Sequence, residues 1–189
     1  LVTRLATQAG LHITIAGRSG SLAAALADGL RPTATSELTH AQVDAMDPAF
    51  AAQLERLNVS IVVNASGPFQ GQDYRVAKAC IAAGVHYIDL ADGRAFVAGV
   101  GVLHSSAAEA GVLITSGASS VPALSSAVAD HLVRGFQRVQ SIDVGISPGN
   151  RTERGLSTVS AILSYCGKEL PASAGKPRVG WLGSYRHEY

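Results

Sequence analysis

The sequence predicts an α/β protein built on a doubly wound parallel sheet, with helices over both faces. Three observations carry that prediction. Short apolar runs, about four to six residues long, recur along the chain. Amphipathic stretches of helical period separate them, and Gly, Pro, Asp or Ser closes most of the runs. Strands that are apolar on both sides suit a parallel sheet, because the crossover helices leave neither face in water.

The elements follow in order. Leu1, Val2 and Leu5 share one face of an opening helix, for which Gly10 is a natural C-cap. HITIA (His12 to Ala16) is a strand that stops at Gly17-Arg18-Ser19, and SLAAALADGL makes a helix from near Gly20 to Gly29. Arg31 to Leu38 reads as loop, and HAQVD (His40 to Asp44) as a short strand. Asp47-Pro48 opens a helix through Leu57, with aspartate at the cap and proline in the first turn. SIVVN (Ser60 to Asn64) is a strand that breaks at Ala65-Ser66-Gly67-Pro68, and QDYRVAKACIAAG is a helix closed by Gly84. HYID ends a strand near Asp89, and a helix from about Val102 to Ala110 closes at Gly111. VLITSG is a strand, Val121 to Phe136 a helix, and SIDVGIS (Ser141 to Ser147) a further strand.

This alternation fits a Rossmann-like sheet of strand order 3-2-1-4-5-6, with HITIA as its second strand. The first strand and its Gly-rich turn would then precede Leu1. Without that central strand, the second and fourth would each expose an unpaired edge, so the chain by itself is not expected to fold stably. LVTRLATQAG reads as a helix entered midway, not as a secretory leader, and GWLGSYRHEY is equally unpunctuated. Residues 1–146 read as the nucleotide-binding domain and 147–189 as the beginning of a second α/β domain for substrate and dimerisation.

Composition narrows the function. Of 189 residues 47% are apolar and 15% charged, with a net charge of +1 and no cluster of Lys and Arg. That balance supports a packed core and argues against nucleic-acid or polybasic membrane partners. No apolar run approaches the ~18 residues that cross a bilayer. Cys80 and Cys166 lie far apart without C-x-x-C spacing, which suits a reducing cytoplasm. The six histidines form no H-x-x-x-H or H-E-x-x-H pattern, so no metal site is expected. No G-x-S-x-G elbow marks a hydrolase.

Ligands of doubly wound sheets bind at the carboxyl ends of the strands, so the residues just after each strand are the candidates. Gly17, Arg18 and Ser19 follow the second strand, where an NAD site offers a carboxylate to the adenosine ribose. An arginine fork there donates instead to a 2′-phosphate, and Ser19 adds a hydroxyl or a helix-start N–H. The bland alternative is a solvated turn, but the strand before and the helix after favour NADP. Asp44 and Asp47 follow the third strand. Asp47 reads first as a helix cap, a role compatible with a place on the cofactor rim. Asn64, Ala65, Ser66, Gly67, Pro68 and Phe69 follow the fourth strand as a run of mostly small residues that lets a backbone approach the nicotinamide side of a cofactor. Asp89 and Asp92 follow the fifth, as an acid/base pair or, for Asp92, an ordinary cap. Gly117 to Ser120 follow the sixth, with Ser119 or Ser120 as a cap and N–H groups facing a ligand. None of these is singled out as the catalytic residue.

The run VVNASGPFQGQDYRVAKACIAAGVHYIDLADG, with AGRS after the second strand, resembles the NADP-binding domain of the saccharopine dehydrogenase-like family. The resemblance implies a Rossmann domain followed by a substrate and dimerisation domain. It also implies NAD(P)-linked hydride transfer with a small-molecule substrate, in some members at a secondary C–N bond, and leans towards a homodimer. A non-catalytic NADP sensor is the alternative reading. Arg18 counts against a methyltransferase, which wants an acidic residue at that place.

Overall fold

In a computed structural model of the chain, the structure describes residues 1–146, 151, 155–170 and 178–182. Among these the chain forms two compact units: residues 1–60 with 75–85, and residues 61–74 with 86–189. Each is described by itself.

The first unit begins with α1 (Val2–Leu5), shorter than the helix expected up to Gly10. The Ala6 carbonyl accepts from the N–H groups of Thr35 and Ser36, and from the Ser36 hydroxyl. A carbonyl committed to those distant donors is not carrying a helix forward. The strands β1 (His12–Gly17) and β2 (Glu37–Gln42) pair in parallel, His12 opposite Glu37 and Gly17 opposite Gln42. β2 therefore starts three residues earlier than its alternating pattern suggested, because the Glu37 N–H already bonds to the Leu11 carbonyl. Helix α2 (Gly20–Leu30) lies on this pair, with Ala23 and Ala27 buried one turn apart. Gly20 is a glycine for a reason: a Cβ there would stand 3.2 Å from the Gln42 Cβ. Helix α3 (Phe50–Leu57) buries Phe50 and Leu54, also one turn apart, and ends on Asn58 in the left-handed region. It packs against α4 (Arg75–Ala82), which buries Val76, Ala77 and Cys80.

The second unit holds a three-stranded parallel sheet in the order β3 (Ile61–Asn64), β4 (His86–Asp89), β5 (Ile114–Thr115). Its register sets Asn64 beside Asp89 and Ile88 beside Thr115. β5 is only two residues long: before it the His86 ring takes the Leu113 N–H at 2.9 Å, and after it the Gly117 N–H goes to the Asp89 carboxylate at 2.9 Å. Helix α5 (Arg94–Gly99), which the sequence pattern did not indicate, precedes a 3-10 turn (Val100–Leu103) and α6 (His104–Glu109). Phe69, Ala91 and Phe96 form a core with Tyr74 and Val97 against it. The Phe96 ring lies 5.4 Å from that of Phe69 and 4.7 Å from that of Tyr74. Each such buried aromatic contributes about 1.5–3 kcal/mol through apolar area alone.

These neighbour relations make the chain a Rossmann-like α/β fold. The pair β1-β2 and the trio β3-β4-β5 are each parallel, with strands in chain order. Two expectations are corrected further along. The helix expected from Val121 to Phe136 divides into a π-turn (Ser120–Leu124) and α7 (Ser125–Leu132). Val121 is extended there, as the residue before a proline tends to be. Residues 141–146 form no strand, and Ile142, Val144 and Ile146 are 59%, 55% and 65% exposed. Alternation alone makes no strand without a ladder partner; Ser147 lies outside the described residues. Further along the chain come α8 (Leu156–Leu163) and the short antiparallel pair β6 (Glu169–Leu170) and β7 (Arg178–Val179).

Candidate functional site

Gly17, Arg18 and Ser19 sit at the carboxyl end of β1, as the strand pattern indicated. Ser19 is the N-cap of α2, its hydroxyl accepting from the Leu22 N–H at 3.3 Å and lying 3.0 Å from that of Ser21. An 11-residue helix thus points its first N–H groups, and the positive end of its dipole, out of the strand end. Arg18 beside it is exposed and has no ion pair among the described residues. Space around Gly17 is open. A phosphate fits this end: an uncommitted guanidinium, a capped helix start and room for an anion lie together on three consecutive residues.

Asp47 belongs to the same unit, on a cleft of about 510 Å³ lined by Ala41, Gln42, Val43, Asp44, Asp47, Gln53, Arg56 and Leu57. Gln42 joins the two places, since it also packs on Gly20. Both oxygens of Asp47 are engaged locally: Oδ1 accepts from the Ala49 N–H at 2.8 Å and Oδ2 from Gln53 Nε2 at 3.1 Å. Asp47 does not cap the helix as expected, because α3 begins only at Phe50, with Ala49 at its N-cap and Pro48 in the turn before it. Asp44 similarly accepts from the Met46 N–H at 2.9 Å. These carboxylates shape the cleft wall through local bonds.

In the second unit, the run from Asn64 to Phe69 divides by exposure. Asn64 is buried; its amide donates to the Tyr87 hydroxyl at 3.2 Å, and its Oδ1 accepts from the N–H and the hydroxyl of Ser66. Phe69 is buried in the aromatic core. Gly67 and Pro68 are half-buried, joined by a cis peptide, and Gln72 Nε2 donates to the Pro68 carbonyl. Ala65 and Ser66 are the exposed crest. Asn64 and Phe69 anchor the loop from within, and the two small residues between them face solvent.

The next two strand ends differ from expectation. Asp89 is fully buried, and its Oδ1 accepts from the Ala91 and Gly117 N–H groups and from the Ser116 hydroxyl, at 2.9–3.0 Å. It therefore forms no open acid/base pair with Asp92. Asp92 does not cap a helix either: the N-cap of α5 is Gly93, and Asp92 accepts from Gln70 Nε2 at 3.0 Å. Ser119 donates to the Val121 carbonyl at 2.6 Å instead of capping, and the N–H groups of Gly117 and Ala118 bond to Asp89. Tyr74 donates to the Phe96 carbonyl at 2.7 Å; burial, and then the nearby charge of Asp89, raise its phenol above the ordinary value. Tyr165, beyond α8, accepts from the Arg94 N–H at the start of α5 at 3.2 Å. The sequence held one signal for Asp89, an acid closing an apolar strand, and none for its partners in the turn after β5. Among the described residues, no three His, Cys, Asp or Glu side chains gather as a metal site would need, and no helix is long and apolar enough to cross a membrane.

Residues 1–131 match the family described as the saccharopine dehydrogenase NADP binding domain. The chain belongs to that family. Its cofactor is accordingly NADP. No curated protein matches the chain. Among solved structures, this saccharopine dehydrogenase-type domain is similar to apo saccharopine dehydrogenase (L-Glu forming) from Saccharomyces cerevisiae, with a TM-score of 0.52 and 16% identity. That match covers 70% of this chain but 27% of the yeast enzyme, so the chain spans about a quarter of its length. A bulky-bulky ketone specific alcohol dehydrogenase from Comamonas testosteroni matches with a TM-score of 0.42 and 15% identity, over 76% of this chain and 90% of that one. A short-chain dehydrogenase from Sphingobium yanoikuyae in complex with NADPH matches with a TM-score of 0.40 and 15% identity, over 75% and 92%.

Proposed function

We propose that this chain is the cofactor-binding part of an NADP-dependent oxidoreductase acting on a small molecule, and that Arg18 reads the 2′-phosphate. The observation that carries the reading is the exposed, unpaired Arg18 beside the capped start of α2. A guanidinium has no other partner to lose when a phosphate arrives, and its planar fork suits two phosphate oxygens at once. Ser19 holds the helix start, so its free N–H groups and dipole add to the same anion site. When bound, the nicotinamide supplies or accepts the hydride, while the protein orients and shields it. The substrate is proposed only by class: a small molecule, with a C–N bond as the reacting group by family kinship, held by a domain beginning near residue 147.

The test is the pair of cofactors that differ by one phosphate. Arg18→Ala should weaken NADPH by about 10- to 150-fold, the value of one charge-assisted bond of about 1.5–3 kcal/mol, and leave NADH nearly unchanged. Isothermal titration of both cofactors reads this directly. Equal losses for the two would sink the assignment of Arg18.

A further inference from the structure

Gln42 ends β2 directly opposite Gly17, the last residue of β1, and the Val43 N–H donates to the Gly17 carbonyl at 2.9 Å. The end of β2 is thereby tied to the turn that carries Arg18 and Ser19. The Gln42 side chain lies over Gly20, the first residue of α2: a Cβ on Gly20 would stand 3.2 Å from Gln42 Cβ and 3.4 Å from its Oε1. A glycine at the helix start leaves the amide that close to it. Gln42 is exposed there, and its side chain makes no hydrogen bond among the described residues. Of the acids that line the same cleft, Asp47 has both oxygens taken by Ala49 and Gln53, and Asp44 gives one to Met46. Gln42 thus brings an uncommitted donor without negative charge to the strand-to-helix turn of Arg18.

We propose that Gln42 is a further specificity-determining residue for the cofactor: its amide donates to the 2′-phosphate beside Arg18 and shares in the choice of NADP over NAD. The proposal rests on the NADP reading above, and it needs only the unit that holds β1, β2 and α2. A carboxamide carries two N–H donors on Nε2 and an acceptor on Oε1, and rotation about the last bond exchanges their places. Its donor side suits a phosphate, and a bond to an anionic oxygen is about twice as strong as one between neutral groups. The acceptor side could take a ribose 2′-hydroxyl, but only through the weaker neutral bond, so the balance favours the phosphate. A glutamate at this place would accept only, and its charge would repel the phosphate at short range. Glutamine fills the same space with neither fault.

Two ligands that differ by this phosphate alone test the role: 2′,5′-ADP and 5′-AMP, neither of which carries a nicotinamide. Both are titrated calorimetrically into the full chain and into its Gln42→Met and Gln42→Glu variants. Methionine keeps an unbranched stem over Gly20 and removes the donors; glutamate keeps the shape and adds a negative charge. Gln42→Met is expected to bind 2′,5′-ADP about tenfold more weakly, the worth of one bond to a charged group, and 5′-AMP within about twofold of the parent. Gln42→Glu should lose more 2′,5′-ADP affinity than Gln42→Met, and the excess should shrink in high salt as the repulsion is screened. A merely structural role would weaken both ligands alike. Equal weakening of the two, or unchanged 2′,5′-ADP binding in Gln42→Met, would overturn the proposal. So would a Gln42→Glu variant that binds 2′,5′-ADP as tightly as the parent. If one variant fails to fold, the other decides by the same pair of ligands. A parent that binds 2′,5′-ADP no more tightly than 5′-AMP would remove the 2′-phosphate reading and this proposal with it. A parent that prefers 2′,5′-ADP, with that preference intact in both variants, would remove only the role of Gln42.

Discussion

At the end of β1, Arg18 stands in solvent without an ion pair among the described residues; at the end of β4, Asp89 is enclosed and takes three donors on one oxygen. The interiors of the two units differ in the same sense. The first buries Ala23, Ala27, Leu38, Phe50, Leu54, Val76, Ala77 and Cys80, none of them charged. The second buries Asn64 and Asp89 as neighbours in register at the ends of adjacent strands. A charged group can serve a ligand only where the fold has not already used it. The first strand end keeps its charge for something arriving from outside, and the second spends its charge on holding its own loops.

The sharpest way to break this contrast is Asp89→Ala. It strips the acceptor from two N–H groups and a hydroxyl in a buried place, so a loss of about 3 kcal/mol or more is expected in urea unfolding. A loss below about 1 kcal/mol would mean that these bonds are not part of the folded unit's stability. Arg18→Ala, exposed and unpaired, should change stability by no more than about 0.5 kcal/mol in the same experiment.

A middle-sized effect separates the interiors by pH. Burial pushes the Cys80 thiol from the ordinary 9.0 up to about 12. Between those values the unfolded chain gives up a proton that the folded chain keeps. The stabilisation is complete below about pH 9 and is lost as pH rises towards 12, by at most about 1.4 kcal/mol per pH unit. Tyr74, raised as well, adds a loss of the same sign beginning above its ordinary 10.0. Unfolding curves at several alkaline pH values should show a shallower slope for Cys80→Ala than for the parent. Parallel slopes would mean that the thiol is not enclosed.

A smaller effect belongs to the open end. Ser19→Ala removes the hydroxyl that accepts from the Leu22 N–H, and should cost about 1 kcal/mol of stability in a thermal melt. NADPH binding should fall by less than for Arg18→Ala, because the helix N–H groups remain. A larger loss than Arg18→Ala would exchange the roles of the two residues.

Much of this was legible in the sequence because it is local. An apolar strand, then Gly17-Arg18-Ser19, then an alanine-rich helix implies a strand end, a cap and an arginine between them, and each of those lies within a few residues. Asp47 beside Pro48 announced a tight turn for the same reason, but not a cap, since α3 starts two residues after Pro48. The later strand pattern misled where pairing decides: Ile142, Val144 and Ile146 alternate properly, yet 141–146 form no strand. Helix α5 was missed because six residues with two glycines nearby carry too little periodicity to show.

By itself, the sequence determined the α/β class, most of the order of its elements and the family. Each depends on runs of neighbouring residues whose periodicity and capping act over a turn or two of chain. Only the tertiary structure decided which groups remain available for chemistry. Asp89 and Asp92 stand three residues apart and look interchangeable on paper. One is enclosed because Ser116 and Gly117, 27 and 28 residues onward, fold back onto it; the other is exposed and takes a single bond from Gln70. Burial of a charge is set by whatever donors the fold brings from elsewhere in the chain, and local sequence does not name them.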